Sequence, residues 1–244
     1  TLDSVTYKPT EVDGFEIGTK FTLLDGTLSG SLVGYRYEYD GLQLTTFNAT
    51  LTPPSFTTTN AANTRSEGIE LEVNYLPPVD GLTLRGGVYY NNAKYLDFAN
   101  AQCYAGQTIA QGCDVIPGLT TRVQDLSGET VWRAPEWIYT AGVVYDTPIS
   151  ENLKFGINAD LRYVSEYYVS TTGNPGSNQD AYTAINAGVR LGAMDDRWTV
   201  GLIGRNLTNE IFATLGTDKP GGSGEVMAVA GEPRAIVLQL ETRF

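Results

Sequence analysis

Two glutamates are the first side chains whose types and spacing could support chemistry. Glu70 and Glu72 form a pair of carboxylates, and such a pair can act as acid and nucleophile in glycoside hydrolysis. They lie two residues apart in an alternating segment, so both would project from one face of a strand, which is more typical of a hydrated wall. The chain contains no His, which excludes Ser-His-Asp and Cys-His mechanisms within it. We therefore expect no catalytic residue and no enzyme activity.

Two cysteines are the second set of side chains that could support chemistry. Cys103 and Cys113 lie in a long polar segment with nine residues between them, and an oxidising compartment would favour their pairing. Closing that loop would contribute about 2–3 kcal/mol to its ordering. A two-Cys metal site is the alternative, but without His it lacks two further convincing ligands. We expect a disulfide, and neither a metal site nor a cofactor.

The overall charge argues against nucleic acid as a partner. The net charge is −12, and no cluster of Lys and Arg is present to bind phosphates. No run of eighteen apolar residues predicts a spanning helix. Residues 1–20 lack the basic start and apolar stretch of a signal peptide, so the chain is expected to start within a longer protein or after processing.

Alternation of apolar and polar residues predicts nine strands. Leu153, Phe155 and Ile157, for example, share one predicted face, and Lys154 and Asn158 share the other. The predicted strands span residues 13–24, 27–44, 69–75, 82–90, 137–145, 153–163, 181–192, 197–207 and 233–244. Most have ten or more residues, whereas soluble strands average about five or six and bilayer-crossing strands about nine to eleven. Strand length therefore favours a membrane.

The second predicted strand is irregular. Tyr35, Tyr37 and Tyr39 fall on one face, while Leu28 and Leu32 fall on the other. A β-bulge would reconcile the two sets, and the three tyrosines would then point outward.

The predicted connectors alternate between short and long. The short ones are residues 25–26, 77–81, 148–152 and 194–196, and the long ones are residues 47–63, 96–130, 171–179 and 209–231. In a meander all four long loops lie at the same end. Outer-membrane barrels have this asymmetry, with tight periplasmic turns and long external loops.

Aromatic residues cluster near both ends of the predicted outward faces, as membrane interfaces select. The lower set is Tyr75, Tyr145, Phe155, Trp198 and Phe244, and the upper set is Tyr90, Trp137, Tyr139, Tyr163 and the three tyrosines of the second strand. A soluble β-sandwich also has alternating strands. Strand length and loop asymmetry favour instead an all-β, transmembrane, antiparallel up-and-down β-barrel.

Several segments resemble, in order along essentially the whole chain, the motifs of the TonB-dependent outer-membrane receptor family. They are PTEVDGFEIGTK at 9–20, LLDGTL at 23–28, RSEGIELE at 65–72, RAPEW at 133–137, RNLTNE at 205–210 followed by Phe212, and GEPR at 231–234 leading to Phe244. Each motif is weak alone, and their order makes the resemblance specific.

The resemblance implies a 22-strand barrel filled by a plug domain and opened by the TonB complex. Residues 1–244 would be the C-terminal portion of that barrel, about its last nine strands, and the plug domain is absent from this chain. Phe244 would be the outer-membrane assembly signal. Implied partners are outer-membrane lipid, the remaining strands and plug, the TonB complex through that plug, and a small-molecule ligand such as a metal chelate.

The implied function is active uptake of a scarce solute across the outer membrane of a Gram-negative bacterium. A ferric siderophore is the commonest substrate by family. Polar side chains facing a lumen would include Arg85, Asp160, Arg162, Arg190 and Arg205. Hydration or salt bridges to the plug are the favoured explanation for them, and no ligand-binding residue is assigned. A passive porin and a soluble carbohydrate-binding β-module remain as alternative functions.

Overall fold

The computed structural model describes residues 7–48, 55–115, 122–219 and 221–243, and strands dominate them. The strands are β1 (Glu11–Leu23), β2 (Leu28–Asn48), β3 (Ser55–Tyr75), β4 (Leu82–Asp97), β5 (Ala101–Gln102), β6 (Asp114–Val115), β7 (Arg122–Gln124), β8 (Trp137–Pro148), β9 (Leu153–Val164), β10 (Tyr167–Tyr168), β11 (Asn178–Gln179), β12 (Tyr182–Ala193), β13 (Trp198–Arg205), β14 (Ala213–Asp218), β15 (Val226–Ala230) and β16 (Ala235–Thr242). Short 3₁₀ turns occupy Leu24–Gly26, Ile109–Gln111 and Pro175–Ser177. Among these residues no helix has the length and apolarity needed to cross a membrane.

Nine of these strands form one antiparallel sheet. Its order is β1-β2-β3-β4-β8-β9-β12-β13-β16, so each member pairs with the next one along the chain. This meander confirms the predicted up-and-down topology. Nine strands are also the number that the alternation predicted.

The register gives the sheet one continuous apolar face. Ile17 lies opposite Gly34, which lies opposite Ile69; farther along, Val189 lies opposite Leu202. The side chain of Ile17 is 75% exposed, and no second sheet covers this face in the described part of the chain. An apolar band of this extent matches the hydrocarbon that surrounds a transmembrane barrel.

A row of aromatic rings borders this apolar face on the side of the long connectors. Ring centroids are 4.7 Å apart for Tyr90 and Trp137, 5.7 Å for Trp137 and Tyr139, and 5.5 Å for Tyr139 and Tyr163. These four residues form the upper girdle that the sequence predicted. The lower girdle lies on the same face near the short turns and comprises Tyr75, Tyr145, Phe155 and Trp198. Its fifth predicted member, Phe244, lies outside the described residues.

Beyond the aromatic row the same face becomes charged. Arg36 and Arg65 each place a guanidinium nitrogen 2.9 Å from Oε1 of Glu38, and Arg36 lies 3.8 Å from Glu67. Ion pairs of this kind belong in water or among headgroups, because hydrocarbon would penalise them by several kcal/mol. They mark the outer limit of the apolar band on β2 and β3.

The predicted outward position of three tyrosines was wrong. Tyr35, Tyr37 and Tyr39 lie on the polar face of β2: the Tyr35 hydroxyl donates a hydrogen bond to Oδ1 of Asn91 at 3.1 Å. A methyl group at Gly68 would come within 2.9 Å of the Tyr35 ring, so this glycine makes room for it. Hydrophobicity alone cannot assign tyrosine to a face, because its ring is apolar and its hydroxyl is polar.

The predicted bulge between the two halves of β2 was also wrong. Pairing of β2 with both neighbours is unbroken from Leu28 to Tyr39, so the leucines keep the apolar face. The register instead shifts between Tyr39 and Leu42. There Gly41 adopts φ 65°, and its N–H donates to Oδ1 of Asn63 at 3.0 Å.

The predicted long loop at 47–63 was wrong as well. β2 and β3 continue to Asn48 and Ser55, and the residues between them, 49–54, lie outside the described part. The extension is rich in Thr, which favours strands. It lacks the apolar-polar alternation by which the rest of the strand was recognised, because beyond the bilayer neither face needs to be apolar.

The other three long connectors carry small sheets of their own. They contain β5-β7-β6, β10-β11 and β14-β15. A buried apolar cluster lies where the first of these connectors packs onto the extended ends of β2, β3 and β4; it comprises Leu44, Ala62, Tyr95, Phe98, Ala101 and Leu126. The long connectors therefore form an ordered outer layer.

Candidate ligand site

The polar face of the sheet carries the charged side chains that the sequence assigned to a lumen. By register they are Arg85, Asp160, Arg162, Arg190 and Arg205. Arg85 lies on β4, and Asp160 and Arg162 lie on β9, with β8 between the two strands. Arg190 lies nearer the short turns. Arg205 lies near the long connectors, with Nη1 3.6 Å from Oε1 of Glu232.

Near the short turns, the charged side chains of the polar face form ion pairs with one another. Nη2 of Arg190 lies 2.5 and 2.6 Å from the two carboxylate oxygens of Asp146, and Lys154 forms an ion pair with Asp196. These partners bridge β8 to β12 and β9 to the turn that follows β12. They connect side chains across the lower part of the wall.

The centre of the polar face is less neutralised. Oδ2 of Asp160 accepts a hydrogen bond from Nδ2 of Asn186 at 2.7 Å. Within residues 7–48, 55–115, 122–219 and 221–243, Arg85 and Arg162 take part in no ion pair. This part of the wall is open to water and to whatever fills the lumen.

The two carboxylates that suggested hydrolysis belong to the same wall. Oε1 of Glu72 accepts a hydrogen bond from the Tyr89 hydroxyl at 2.6 Å, and Glu70 lies opposite Val33 and Tyr89. Their position fits the hydrated wall that the sequence indicated.

A cavity of about 420 Å³ lies in the outer layer, and we call it the outer cavity. Three segments line it: the end of β4, the connector between β4 and β8, and the segment from β10 to Pro175. Its lining includes Tyr95, Tyr104, Asp125, Glu129, Trp132 and Tyr168. Ligand pockets run from about 300 to 1,000 Å³, so this volume suits a small ligand or one arm of a larger one.

Buried glutamines hold one wall of the outer cavity. Nε2 of Gln124 donates to the main-chain oxygens of Gln102 at 2.8 Å and Thr172 at 2.6 Å. Nε2 of Gln107 donates to Oε1 of Gln124 at 2.9 Å, and both glutamines are 7% exposed. No pattern in the sequence predicted this network, because glutamines in a polar segment follow no periodicity and their burial depends on the packing of distant segments.

The β14–β15 hairpin is joined to the same layer. Nδ2 of Asn174, which is 3% exposed, donates to Oδ1 of Asp218 at 2.7 Å and to the main-chain oxygen of Gly224 at 3.1 Å. The N–H of Gly216 donates to the main-chain oxygen of Val169 at 3.0 Å. Three connectors thus hold one another in place above the sheet.

Two carboxylates give the outer cavity a negative charge. Hydrogen bonds from the Ser127 hydroxyl and main-chain N–H hold the pKa of Asp125 below its ordinary value; the N–H lies 2.9 Å from Oδ1. In the described ranges, neither Asp125 nor Glu129 has a Lys or Arg nitrogen within 4.0 Å. Their charge is therefore not neutralised by the surrounding protein.

Tyr95, one of the residues that line the outer cavity, has a buried hydroxyl. The residue lies on β4 beyond the aromatic row, is 2% exposed, and its hydroxyl makes no hydrogen bond to the described residues. Trp132 main-chain atoms approach it without hydrogen-bond geometry. Burial raises the pKa of Tyr95 to about 12.

The two cysteines lie beside this layer. The structure joins Cys103 to Cys113, with Cα atoms 5.7 Å apart, a distance normal for disulfides. Their loop contacts the β14–β15 turn, because a methyl group at Gly106 would come within 3.0 Å of the Ser223 main chain. Oxidation of the pair in the protein stays a prediction. In the described part of the chain, no three Cys, Asp or Glu residues group as a metal would require.

One protein-family model matches most of the chain. The family model described as TonB dependent receptor-like, beta-barrel, matches residues 3–207. The ferric-pyoverdine M114 receptor PbuA of Pseudomonas sp. (strain M114) is 27% identical over 247 residues, which covers 100% of this chain and 26% of the receptor. The chain therefore spans about a quarter of that relative's length.

Solved structures show the same fold. The ferric yersiniabactin uptake receptor FyuA of Yersinia pestis matches with a TM-score of 0.68 and 15% identity, over 96% of this chain and 30% of that one. The ferric-catecholate import receptor Fiu of E. coli K12 matches with a TM-score of 0.60 and 20% identity, over 98% and 28%.

Proposed function

Because the chain belongs to the TonB-dependent receptor β-barrel family, we propose that it forms part of an outer-membrane receptor that takes up a ferric siderophore, driven by the TonB complex. Residues 1–244 supply the C-terminal portion of the barrel. The plug and the remaining strands are its partners, outer-membrane lipid surrounds it, and the substrate is a metal chelate.

The observation that carries the proposal is the alignment of the whole chain with a ferric-pyoverdine receptor. The sheet also has the two faces that transport of this kind needs. The apolar face suits lipid. The opposite face is polar, and its central cations Arg85 and Arg162 are available to a plug or a solute. A siderophore is the substrate class that the named relatives share.

The site also supports transport over catalysis. Glu72 accepts a hydrogen bond from the Tyr89 hydroxyl. The named relatives are receptors and importers, not enzymes. The outer layer, with a cavity above the lumen, suits first capture of a solute.

Iron-limited uptake tests the proposal. Cells that lack the complete receptor gene are grown with an iron chelator, and uptake of radioactive iron is measured with pyoverdine as the carrier. We expect the deletion to abolish uptake and the restored gene to recover it. Dissipating the proton gradient should stop uptake in the restored strain as well, because TonB depends on that gradient.

The same experiment separates the alternatives. Uptake that survives loss of the gradient would indicate a passive porin. Recovery of the protein without detergent, together with normal uptake in the deletion strain, would indicate a soluble carbohydrate-binding module. Unchanged iron uptake in the deletion strain contradicts the siderophore proposal.

A further inference from the structure

The last strand of the sheet, β16, follows its neighbour β13 through a long connector. Residues 206–234 lie between the two strands and contain the β14–β15 hairpin. A two-residue turn fixes which residues of a hairpin lie opposite each other, whereas a connector of this length does not. The pairing of β13 with β16 therefore needs another determinant of its register.

The apolar pattern of the two strands does not select the register. Apolar residues of β13 lie opposite aliphatic residues of β16, and the pairs are Val200 with Leu240, Leu202 with Leu238, and Gly204 with Ile236. A shift of β16 by two residues would keep every side chain on its own face, because side chains alternate with a period of two. Leu202 would then lie opposite Leu240 or Ile236, which are aliphatic as well. Apolar contacts therefore distinguish poorly between the native and the shifted register.

The side chain of Asn206 joins the two ends of the connector. Its Nδ2 donates to the main-chain oxygens of Glu210 at 2.8 Å and Glu232 at 2.9 Å. Its Oδ1 accepts from the main-chain N–H of Glu210 at 2.9 Å and from the Thr208 hydroxyl at 3.3 Å. The residue is 5% exposed, and these bonds use both donors and both acceptor positions of the amide. Glu232 precedes β16, which begins at Ala235, so Asn206 holds the chain just before that strand.

The main chain at Asn206 is also bonded to β12, on the other side of β13. The N–H of Asn206 donates to Oδ1 of Asn186 at 2.9 Å, and the N–H of Leu207 donates to the main-chain oxygen of Ile185 at 2.7 Å. Asn206 adopts φ 46°, a left-handed conformation that asparagine tolerates better than most residues. Asn206 is therefore held against β12 while its side chain holds the segment that leads into β16.

A second contact joins the same two ends. The N–H of Gly231 donates to the main-chain oxygen of Phe212 at 2.8 Å, and a methyl group at Gly231 would overlap the Phe212 ring. That ring stacks on Tyr182 of β12, with centroids 4.3 Å apart. The ion pair between Arg205 and Glu232 is exposed, and pairs of this kind contribute little. The two ends of the connector are thus held together before β16 begins.

We propose that Asn206 fixes the register in which β16 pairs with β13. Its hydrogen bonds give this long connection what a tight turn gives the short ones, a defined offset between the two strands. β16 lies at one end of the described sheet, and in a closed barrel a shift of β16 would also shift its pairing with the strand on its other side. The inference concerns assembly of the barrel and does not depend on the transported substrate.

Paired cysteines report the register directly. Leu202→Cys/Leu238→Cys places two thiols on residues that lie opposite each other, within the reach of a disulfide. Leu202→Cys/Leu240→Cys and Leu202→Cys/Ile236→Cys form a link only after a shift by two residues, because diagonal neighbours are too far apart. Each pair is introduced into a complete receptor without other cysteines and oxidised in membranes. The links are then quantified in the assembled, heat-modifiable fraction.

The test variant is Asn206→Gly, which tolerates the left-handed conformation and removes the side chain. The matched control is Asn209→Gly, at an exposed asparagine with φ 57°. We expect Asn206→Gly to lower the ratio of native to shifted links about tenfold, the size of effect that the loss of two net hydrogen bonds produces. The control should leave the ratio unchanged.

A short-turn variant separates register from general stability. Replacing residues 206–234 by Asn-Gly joins Arg205 to Ala235, which lie opposite each other, through a turn that sets the register by itself. We expect this variant to form the native link without the Asn206 hydrogen bonds, including when Asn206→Gly fails to assemble. An unchanged ratio in Asn206→Gly, an equal loss in Asn209→Gly, or a short-turn variant that forms shifted links or does not assemble overturns the proposal.

Discussion

At the scale of single residues, Cys103 and Cys113 tie one connector of the outer layer. Because a cross-link restricts the unfolded loop, the double variant Cys103→Ser/Cys113→Ser should destabilise the segment by about 2–3 kcal/mol. We expect faster proteolysis within residues 96–130, with the barrel intact. Mass spectrometry of the native protein without reductant should show the 2 Da deficit of one disulfide; two free thiols would contradict the pairing.

Tyr95 provides a second prediction at this scale. Replacing Tyr95 by Phe removes a buried hydroxyl that lacks a partner while keeping the ring in the apolar cluster. We expect the ligand-free receptor to gain about 1 kcal/mol of local stability, seen as slower amide hydrogen exchange near residues 95–98. Tyr104→Phe, at a less buried ring, should change little. Faster exchange in Tyr95→Phe would mean that the hydroxyl has a partner in the empty receptor.

At the scale of the strand, neighbouring residues of β9 meet different environments. Ile157 lies on the apolar face and Asn158 on the polar face. Ile157→Arg should therefore cost roughly 2–4 kcal/mol, because it places a charge in hydrocarbon, whereas Asn158→Arg should be tolerated. Urea unfolding of the complete receptor in lipid vesicles measures both. Equal effects would argue against a lipid-facing apolar surface.

The corrected register of β2 makes a further prediction about this element. Leu32 belongs to the apolar face, and Val33 shares the polar face with the three tyrosines. A charged, membrane-impermeant thiol reagent should label Val33→Cys in the complete receptor and leave Leu32→Cys unlabelled, since lipid protects the latter. The reverse pattern would restore the outward tyrosines that the sequence suggested.

At the scale of the whole molecule, the terminal aromatic is expected to direct assembly. Phe244 lies outside the described residues, so its role stays a prediction from the family resemblance. Phe244→Ala should lower the amount of complete receptor in the outer membrane several-fold, whereas Phe244→Tyr should preserve it. Quantifying the heat-modifiable form in membrane fractions is the measurement, and equal amounts for both variants would contradict the role.

The architecture of the whole sheet was predictable from the sequence. Alternation has a period of two, which is a local property of one strand. The faces of residues such as Phe155 and Leu161 can therefore be predicted without knowing the adjacent strands. Tight turns fix the pairing within each hairpin, and the alternation of short and long connectors predicted the order in which the hairpins join. The upper and lower aromatic girdles were found in the same way, except where tyrosine fits either environment.

Tertiary structure decided the rest. The face on which Tyr35 lies depends on which neighbouring strand places a glycine beside its ring. Here Gly68 leaves space for the ring on the polar face, and Asn91 accepts a hydrogen bond from the hydroxyl. The outer cavity depends on Gln124 meeting Thr172 across 48 positions of the chain. Contacts between distant segments leave no periodic trace in the sequence, because a side chain in an irregular connector is constrained by its partner and not by its neighbours. Local periodicity therefore determined the sheet, and long-range packing determined the site.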